Sequence, residues 1–188
     1  VYEYSQEVVI HPHNNGIIVI NCPGAGGRTN GYNNKYVTLA NYMVEQGLGA
    51  VVRMSDPYNP FGWDKKLRQV MTYVLENSTD ICSMDVPKIY LMGTSAGASA
   101  ISLLAWEYPE VKKILFLEPA IMSNKNLIQE CLDKYMGEIV VVFDVTLRGV
   151  GLMFFCKMKR QQRRSTLDRS SEASDVYKRQ RQCRDKGS

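Results

Sequence analysis

One stretch of the sequence decides the fold: Lys88-Ile89-Tyr90-Leu91-Met92-Gly93-Thr94-Ser95-Ala96-Gly97. Its first half is an apolar strand pattern, and the residues that follow it form an apolar helix that we expect to end near Glu107. A tight turn between a strand and a helix presents a serine to substrate, provided that small residues two positions before and after it let the backbone turn. The start of the helix also places free N–H groups and a positive dipole beside the hydroxyl. The stretch therefore predicts a nucleophilic serine, Ser95, in an elbow shaped by Gly93 and Gly97.

Strand and helix patterns alternate on both sides of this stretch. Strands are predicted at residues 17–21, 50–54, 88–92, 111–117 and 138–143. Helices are predicted at residues 34–46, 63–76, 96–107 and 126–135. This alternation predicts an α/β fold, in which a mostly parallel sheet carries helices on both faces in three layers. A period-two pattern at residues 3–10 predicts a more exposed antiparallel strand, joined as a hairpin to the strand at 17–21.

The order of these features resembles the α/β-hydrolase superfamily, which includes serine esterases, lipases and peptidases. The matching residues are the strand and loop from Ile17 to Gly27, the elbow from Gly93 to Gly97, and the strands and helices between them. The resemblance covers residues 3–143. It implies a serine hydrolase with a Ser-acid-His triad in that chain order, which cleaves esters, thioesters or amides through an acyl-enzyme. No cofactor and no metal is expected.

A glycine-rich loop, Cys22-Pro23-Gly24-Ala25-Gly26-Gly27, follows the strand at residues 17–21. In a hydrolase of this kind, such a loop supplies one N–H of the oxyanion hole, and the residue after the nucleophile supplies the other. The second donor is then Ala96. For the first donor we favour Ala25, with Gly26 as the next choice.

The acid of the triad is expected after one of the strands that follow the nucleophile. Asp144 comes directly after the strand predicted at residues 138–143 and is our choice for the acid. Glu118, which follows the strand predicted at residues 111–117, is the alternative. An ordinary surface or loop-capping role is open for both carboxylates.

No histidine follows Ser95, and the chain has only His11 and His13. Both lie before the strand that leads into the glycine-rich loop, which places them about 16 Å away at the opposite end of the sheet. We interpret them as exposed turn residues. A serine without a base stays protonated, so turnover by the chain as printed should fall by several orders of magnitude.

The net charge of +4 is unevenly distributed. Residues 1–156 hold 12 Lys/Arg against 15 Asp/Glu, whereas residues 157–188 hold 11 against 4. We therefore divide the chain into a hydrolase-like core at residues 1–143, incomplete at both ends, and a disordered or non-native basic tail at residues 144–188. A frame shift near residue 144 would produce such a tail. The alternative is a genuine basic tail that binds nucleic acid or anionic membrane.

Composition narrows the remaining classes. Five cysteines without a CxxC spacing argue against a zinc or disulfide framework, and no apolar run is long enough to cross a bilayer. Thr29 stands where a GxGxxG dinucleotide motif starting at Gly24 needs its third glycine. We expect a cytoplasmic protein that acts on a small-molecule ester or amide, with no nucleic acid partner. A non-catalytic hydrolase-like domain that binds a ligand or a partner is the competing interpretation. The sequence does not predict the oligomeric state.

Overall fold

The structure, a computed structural model, describes the backbone of residues 6–147 and 150–158 and the side chains of residues 6–143. The strands are β1 (Val8–His11), β2 (Ile17–Cys22), β3 (Ala50–Met54), β4 (Lys88–Thr94), β5 (Val111–Leu117), β6 (Glu138–Leu147) and β7 (Val150–Met158). The helices are α1 (Lys35–Glu45), α2 (Lys65–Glu76), α3 (Ser78–Cys82), α4 (Ala96–Leu104) and α5 (Lys125–Lys134). Two 3₁₀ turns cover Tyr32–Asn34 and Ala105–Glu107.

The strands form one sheet in the order β1-β3-β2-β4-β5-β6-β7. The five strands from β2 to β6 are parallel, and β1 and β7 pair antiparallel at the two edges. Helix α1 packs on one face, where Ala40 contacts Val19 and Val51. Helices α2 and α4 pack on the other face over the main core. The predicted α/β fold with helices on both faces is confirmed.

The predicted partner of the first strand was wrong. β1 is antiparallel as expected, but it pairs with β3, with Val8 opposite Met54, and not with β2. A two-residue turn would force β1 and β2 to be neighbours, whereas the five residues between them reach about 16 Å and can cross a strand. Backbone hydrogen bonds from His13 N to Ile81 O and from Gly16 N to Cys82 O hold this connection against α3, which the sequence analysis missed.

The end of β6 also differs from the prediction. The sequence pattern ends this strand at Phe143, but β6 continues to Leu147 and pairs with β7 along its length. Asp144 therefore lies within a strand, opposite Met153, and not in a loop after it. The proposed domain boundary at residue 144 stays a prediction, and most of the predicted basic tail lies outside the described residues.

Candidate active site

Ser95 occupies the turn between β4 and α4 with φ 51° and ψ −118°. A non-glycine residue rarely adopts positive φ, and such strain, about 1 to 3 kcal/mol, persists only where the surroundings enforce it. Three backbone hydrogen bonds do so here: Ser95 N donates to Leu117 O at 3.0 Å, and Ser95 O accepts from Ala98 N at 3.0 Å and from Ala120 N at 3.1 Å. The half-buried serine is therefore fixed between β5, the loop after β5 and the first turn of α4.

The two elbow glycines lie where a side chain has no room. A Cβ atom on Gly97 would overlap Cys22 O and come within 2.5 Å of Pro23 O. A Cβ atom on Gly93 would lie 2.8 Å from Ile101 Cδ1 and 2.9 Å from the Ala98 backbone. Glycine at both positions lets the start of α4 approach β2 and β4, and this close packing holds the serine in the turn.

The glycine-rich loop lies directly beside the serine. A Cβ atom on Gly24 would be 3.2 Å from Ser95 Cβ and 3.7 Å from Ser95 Oγ. Gly27 N donates to Gly24 O at 3.0 Å, which closes the loop into a turn that leaves Ala25 and Gly26 exposed. The structure thus brings the predicted oxyanion loop and the predicted nucleophile together.

The two candidate donors in this loop differ in their bonding. Gly26 N donates to Asp56 Oδ2 at 2.7 Å, whereas Ala25 N has no hydrogen bond to any residue that the structure describes. Ala96 is the first residue of α4, a position whose N–H has no acceptor within the helix. Because the Gly26 N–H already has an acceptor, the hydrogen bonds favour Ala25 and Ala96 over Gly26 as oxyanion donors, and their role stays a prediction.

Asp56 also contacts this region, and its bond to the glycine-rich loop was not predicted from the sequence. It follows β3, and its carboxylate accepts the Gly26 N–H and, at 2.8 Å, the Tyr58 N–H. The signal in the sequence was an acidic residue placed two positions after a strand whose C-terminal end lies beside the glycine-rich loop. Asp56 holds that loop against the β3–α2 connection.

The two candidate acids are placed differently. Glu118 follows Leu117, whose carbonyl accepts the Ser95 N–H, so its backbone adjoins the elbow. Its φ of 48° and the hydrogen bond from its N–H to Val142 O fix a turn at the end of β5. The side chain of Asp144 lies outside the described residues. The backbone geometry favours the alternative, Glu118, and the role of either carboxylate stays a prediction.

The histidines were predicted to be exposed turn residues, and this was wrong about the exposure of both and about the turn position of His11, whereas His13 does lie between β1 and β2. His11 belongs to β1, is half-buried, and its Nε2 accepts a hydrogen bond of 3.1 Å from Arg53 Nε. His13 is also half-buried. Burial, and then the positive charge of Arg53, lower the pKa of His11, so both favour its neutral form. His11 lies opposite Val51, toward the opposite end of the sheet from the elbow, so neither histidine can serve Ser95.

The other potential nucleophile near the elbow is inactive at neutral pH. The Cys22 thiol is fully buried, and burial together with the nearby Asp56 carboxylate raises its pKa far above the usual range. Only a thiolate attacks carbonyl groups efficiently, so Cys22 does not compete with Ser95. Within the described residues, no group of three or more His, Cys, Asp or Glu could hold a metal ion, and no helix is long and apolar enough to span a membrane.

The chain is similar to α/β-hydrolases. Solved structures that resemble it include a monoacylglycerol lipase from Paleococcus ferrophilus, with 14% identity and a TM-score of 0.48 over 64% of this chain and 46% of that one. An alpha/beta hydrolase enzyme from a Medee basin deep-sea metagenome library shares 14% identity, with a TM-score of 0.49 over 68% of this chain and 57% of that one.

A thermostable carboxylesterase cloned from a metagenomic library also has 14% identity, with a TM-score of 0.46 over 65% of this chain and 49% of that one. The chain spans about half the length of these structures. At such identities the likeness concerns the fold alone. No family model and no curated protein matches the chain.

Proposed function

We propose that the domain is a serine hydrolase of the esterase type with Ser95 as its nucleophile. The observation that carries the proposal is the strained conformation of Ser95, with φ 51°, on a turn that three hydrogen bonds and two tightly packed glycines enforce. Strain of this kind at a serine, beside a loop with an unpaired N–H, is typical of a site in which geometry has been selected for chemistry.

The reaction follows from the groups at the elbow. Ser95 Oγ bonds to the carbonyl carbon of an ester, thioester or amide, and its proton passes to a base. The N–H groups of Ala25 and Ala96 stabilise the oxyanion of the tetrahedral intermediate. The carbon–leaving-group bond then breaks, the leaving group takes up the proton, and water hydrolyses the acyl-enzyme. Glu118 or Asp144 would orient the base.

The printed chain provides no histidine for this step, because His11 and His13 belong to the other end of the sheet. We therefore expect Ser95 to be correctly placed but slow, and an added base to accelerate it. The test is the reaction of the full chain with diisopropyl fluorophosphate, followed by intact mass and peptide mapping, with and without imidazole. Ser95 Oγ displaces fluoride from phosphorus, and imidazole takes up the hydroxyl proton.

We expect one adduct on Ser95 that forms faster with imidazole and is absent in Ser95→Ala. Ser102→Ala is the matched control, since Ser102 lies on the same helix and donates to Ala98 O at 2.8 Å. It should be labelled like the parent. A parent chain that gains no adduct, or gains it equally in Ser95→Ala, would show that the elbow is not a nucleophilic site.

A second candidate function is a hydrolase-like domain that binds a carbonyl ligand without cleaving it, and the position of His11 and His13 away from the elbow favours it. In that case the oxyanion donors would still bind an ester or carboxylate. Binding of an ester by the parent with no labelling under any condition would support this function over the first.

A further inference from the structure

Arg53, on β3, carries a charged side chain of which only 4% is exposed. Its Nη1 donates to Thr29 O at 2.7 Å and to Asn30 Oδ1 at 3.0 Å, and its Nε donates to His11 Nε2 at 3.1 Å. A buried guanidinium is costly unless its N–H groups find acceptors. The acceptors of Arg53 lie on β1 and on the segment that follows the glycine-rich loop, so this side chain ties both of them to β3.

The bonds of Arg53 are directed at that segment although β2 offers another acceptor. Asn21 is the residue of β2 in register with Arg53, and paired residues of neighbouring strands project from the same face of the sheet. The side-chain amide of Asn21 is buried and has no partner among the residues that the structure describes. A role in holding Thr29 and Asn30 therefore accounts for the direction of the guanidinium better than charge balance alone.

The segment that Arg53 holds is continuous with the glycine-rich loop. Thr29, itself buried, comes two residues after Gly27, whose N–H closes the loop on Gly24 O at 3.0 Å. A Cβ atom on Gly24 would be 3.7 Å from Ser95 Oγ, and the candidate oxyanion donor of the loop lies inside the same closed turn. A displacement of Thr29 should therefore move backbone that touches the nucleophile.

His11 can accept the bond from Arg53 only while its imidazole is neutral. An arginine N–H always donates, so Nε2 of His11 carries no proton in this arrangement. Uptake of a proton turns Nε2 into a donor and places two cations side by side. Among the described residues, Arg53 is the charged group whose field acts on His11, and neither α1 nor the Thr29–Asn30 segment adds another. Glu7, just before β1, acts in turn on Arg53.

We propose that Arg53 positions the glycine-rich loop for Ser95 and that His11 makes this hold sensitive to pH. The inference rests on the proposed function and assigns a means of regulation to the same site. While His11 is neutral, Arg53 stays bonded to Thr29 and Asn30 and keeps the loop against the elbow. Protonated His11 repels the guanidinium, so the loop moves and its N–H groups lose alignment with a group bound to Ser95. Acid should then weaken the reaction independently of the state of the base.

The pH profile of labelling tests the role of His11. The rate at which diisopropyl fluorophosphate labels Ser95 in the presence of imidazole is measured from pH 7.5 to 5 for the parent and for His11→Gln, which keeps a neutral acceptor that does not titrate. The ratio of the two rates cancels the titration of imidazole, which both chains share. We expect the parent to lose about tenfold relative to His11→Gln as the pH falls, because a bond from a charged donor is lost.

A permanent cation at the same position removes the need to lower the pH. His11→Lys should slow labelling of Ser95 at least about tenfold at pH 7.5, because the loop is displaced. It should also speed hydrogen–deuterium exchange of a peptide that covers residues 23–31, a readout that needs no reaction at Ser95. His13→Lys is the matched control, since His13 is also half-buried but Arg53 bonds to His11 instead. It should match the parent in both measurements.

Arg53→Met removes the hold itself. It should slow labelling at least about tenfold at pH 7.5, and adding His11→Gln to it should no longer change the pH profile. Ser78→Ala is the control for loss of a buried hydrogen bond elsewhere, from Ser78 Oγ to Asp85 O at 3.0 Å, and should be labelled like the parent. If Arg53→Met loses the parent circular dichroism spectrum, the variants of His11 decide.

A rate ratio that stays constant with pH, or equal labelling and exchange in His11→Lys and His13→Lys, would overturn the inference. Labelling of Ser95 with either of these results leaves the hydrolase intact and rejects the role of Arg53 and His11. If no chain is labelled but exchange of residues 23–31 still responds to a cation at position 11, the hold of Arg53 on the loop stands and the hydrolase is rejected.

Discussion

Replacing Gly97 with alanine tests how the elbow is held. Gly97 lies in the first turn of α4 at a helical position, where alanine is intrinsically favoured by about 1 kcal/mol. The added methyl group, however, would overlap Cys22 O and lie 2.5 Å from Pro23 O. Both obstacles are backbone atoms at the end of β2, so the conflict is relieved only if α4 moves away from the sheet.

The two effects have opposite signs, and packing should dominate. Overpacking a tight interior contact costs about 1 to 3 kcal/mol, and a rigid backbone obstacle places this substitution at the upper end. We therefore expect Gly97→Ala to lower the free energy of unfolding by about 2 kcal/mol in urea, with an unchanged m-value. Displacement of the first turn of α4 should also slow labelling of Ser95 at least tenfold, since small misplacements of reacting groups are costly.

Gly47→Ala is the matched control. Gly47 has φ +65° after α1, where a Cβ atom meets nothing closer than His13 Nε2 at 4.0 Å. It should lose about 1 kcal/mol through backbone strain alone and keep the parent labelling rate. A Gly97→Ala chain as stable as the parent and labelled at the parent rate would refute the argument that close packing of α4 on β2 positions the serine.

Three further outcomes are expected. Ser99→Ala should lose about 1 to 3 kcal/mol of unfolding free energy in urea, because it leaves two backbone groups of the loop after β5 without their partner. Because the pKa of His11 is lowered in the folded chain, the unfolded chain binds a proton at a higher pH than the folded chain does, so stability should fall as the pH drops below about 6.5. Thermal unfolding from pH 7.5 to 5 should show a smaller fall in His11→Gln. Burial of His11, and then the positive charge of Arg53, set the direction of this effect, and an equal pH dependence in both chains would contradict it. The hydrogen bond from Arg68 lowers the pKa of Glu107, so this pair stabilises the fold above about pH 4.5 and loses its effect as the pH falls through the lowered pKa. Arg68→Met should remove this loss of stability in acid, and because the pair is partly exposed we expect a change of about 1 kcal/mol in the free energy of unfolding.

Two central strands were predictable to the residue. Ala50–Met54 and Val111–Leu117 have the predicted bounds, because an apolar run between glycine or charged turn residues leaves few alternatives. The partner of β1 was not predictable, since contacts such as Ser55 N to Glu7 O join residues nearly fifty positions apart. Strand pairing between such distant residues depends on tertiary packing, which local sequence patterns do not encode.

At the candidate site, too, some features were predictable from the sequence and others were not. The elbow was predictable because its chemistry needs small residues at fixed spacing around Ser95, and the structure gives the steric reason at Gly97. The bond from Gly26 to Asp56 was not predictable, because it joins two loops thirty residues apart. The half-buried state of His11 was missed for a related reason: its partner, Arg53, belongs to a strand that the predicted hairpin did not place beside it.

The contacts that hold Ser95 in its strained turn come from residues 22–120, a part of the chain that contains no histidine. They are the backbone bonds to Leu117, Ala98 and Ala120 and the packing of Gly97 on the end of β2. A strained conformation persists wherever its surroundings are complete, so the elbow does not need a histidine to form. The absence of a histidine beside Ser95 should therefore lower the rate of proton transfer and leave the geometry of the nucleophile and the oxyanion loop in place. For this chain, labelling of Ser95 consequently discriminates between the two proposed functions better than turnover does.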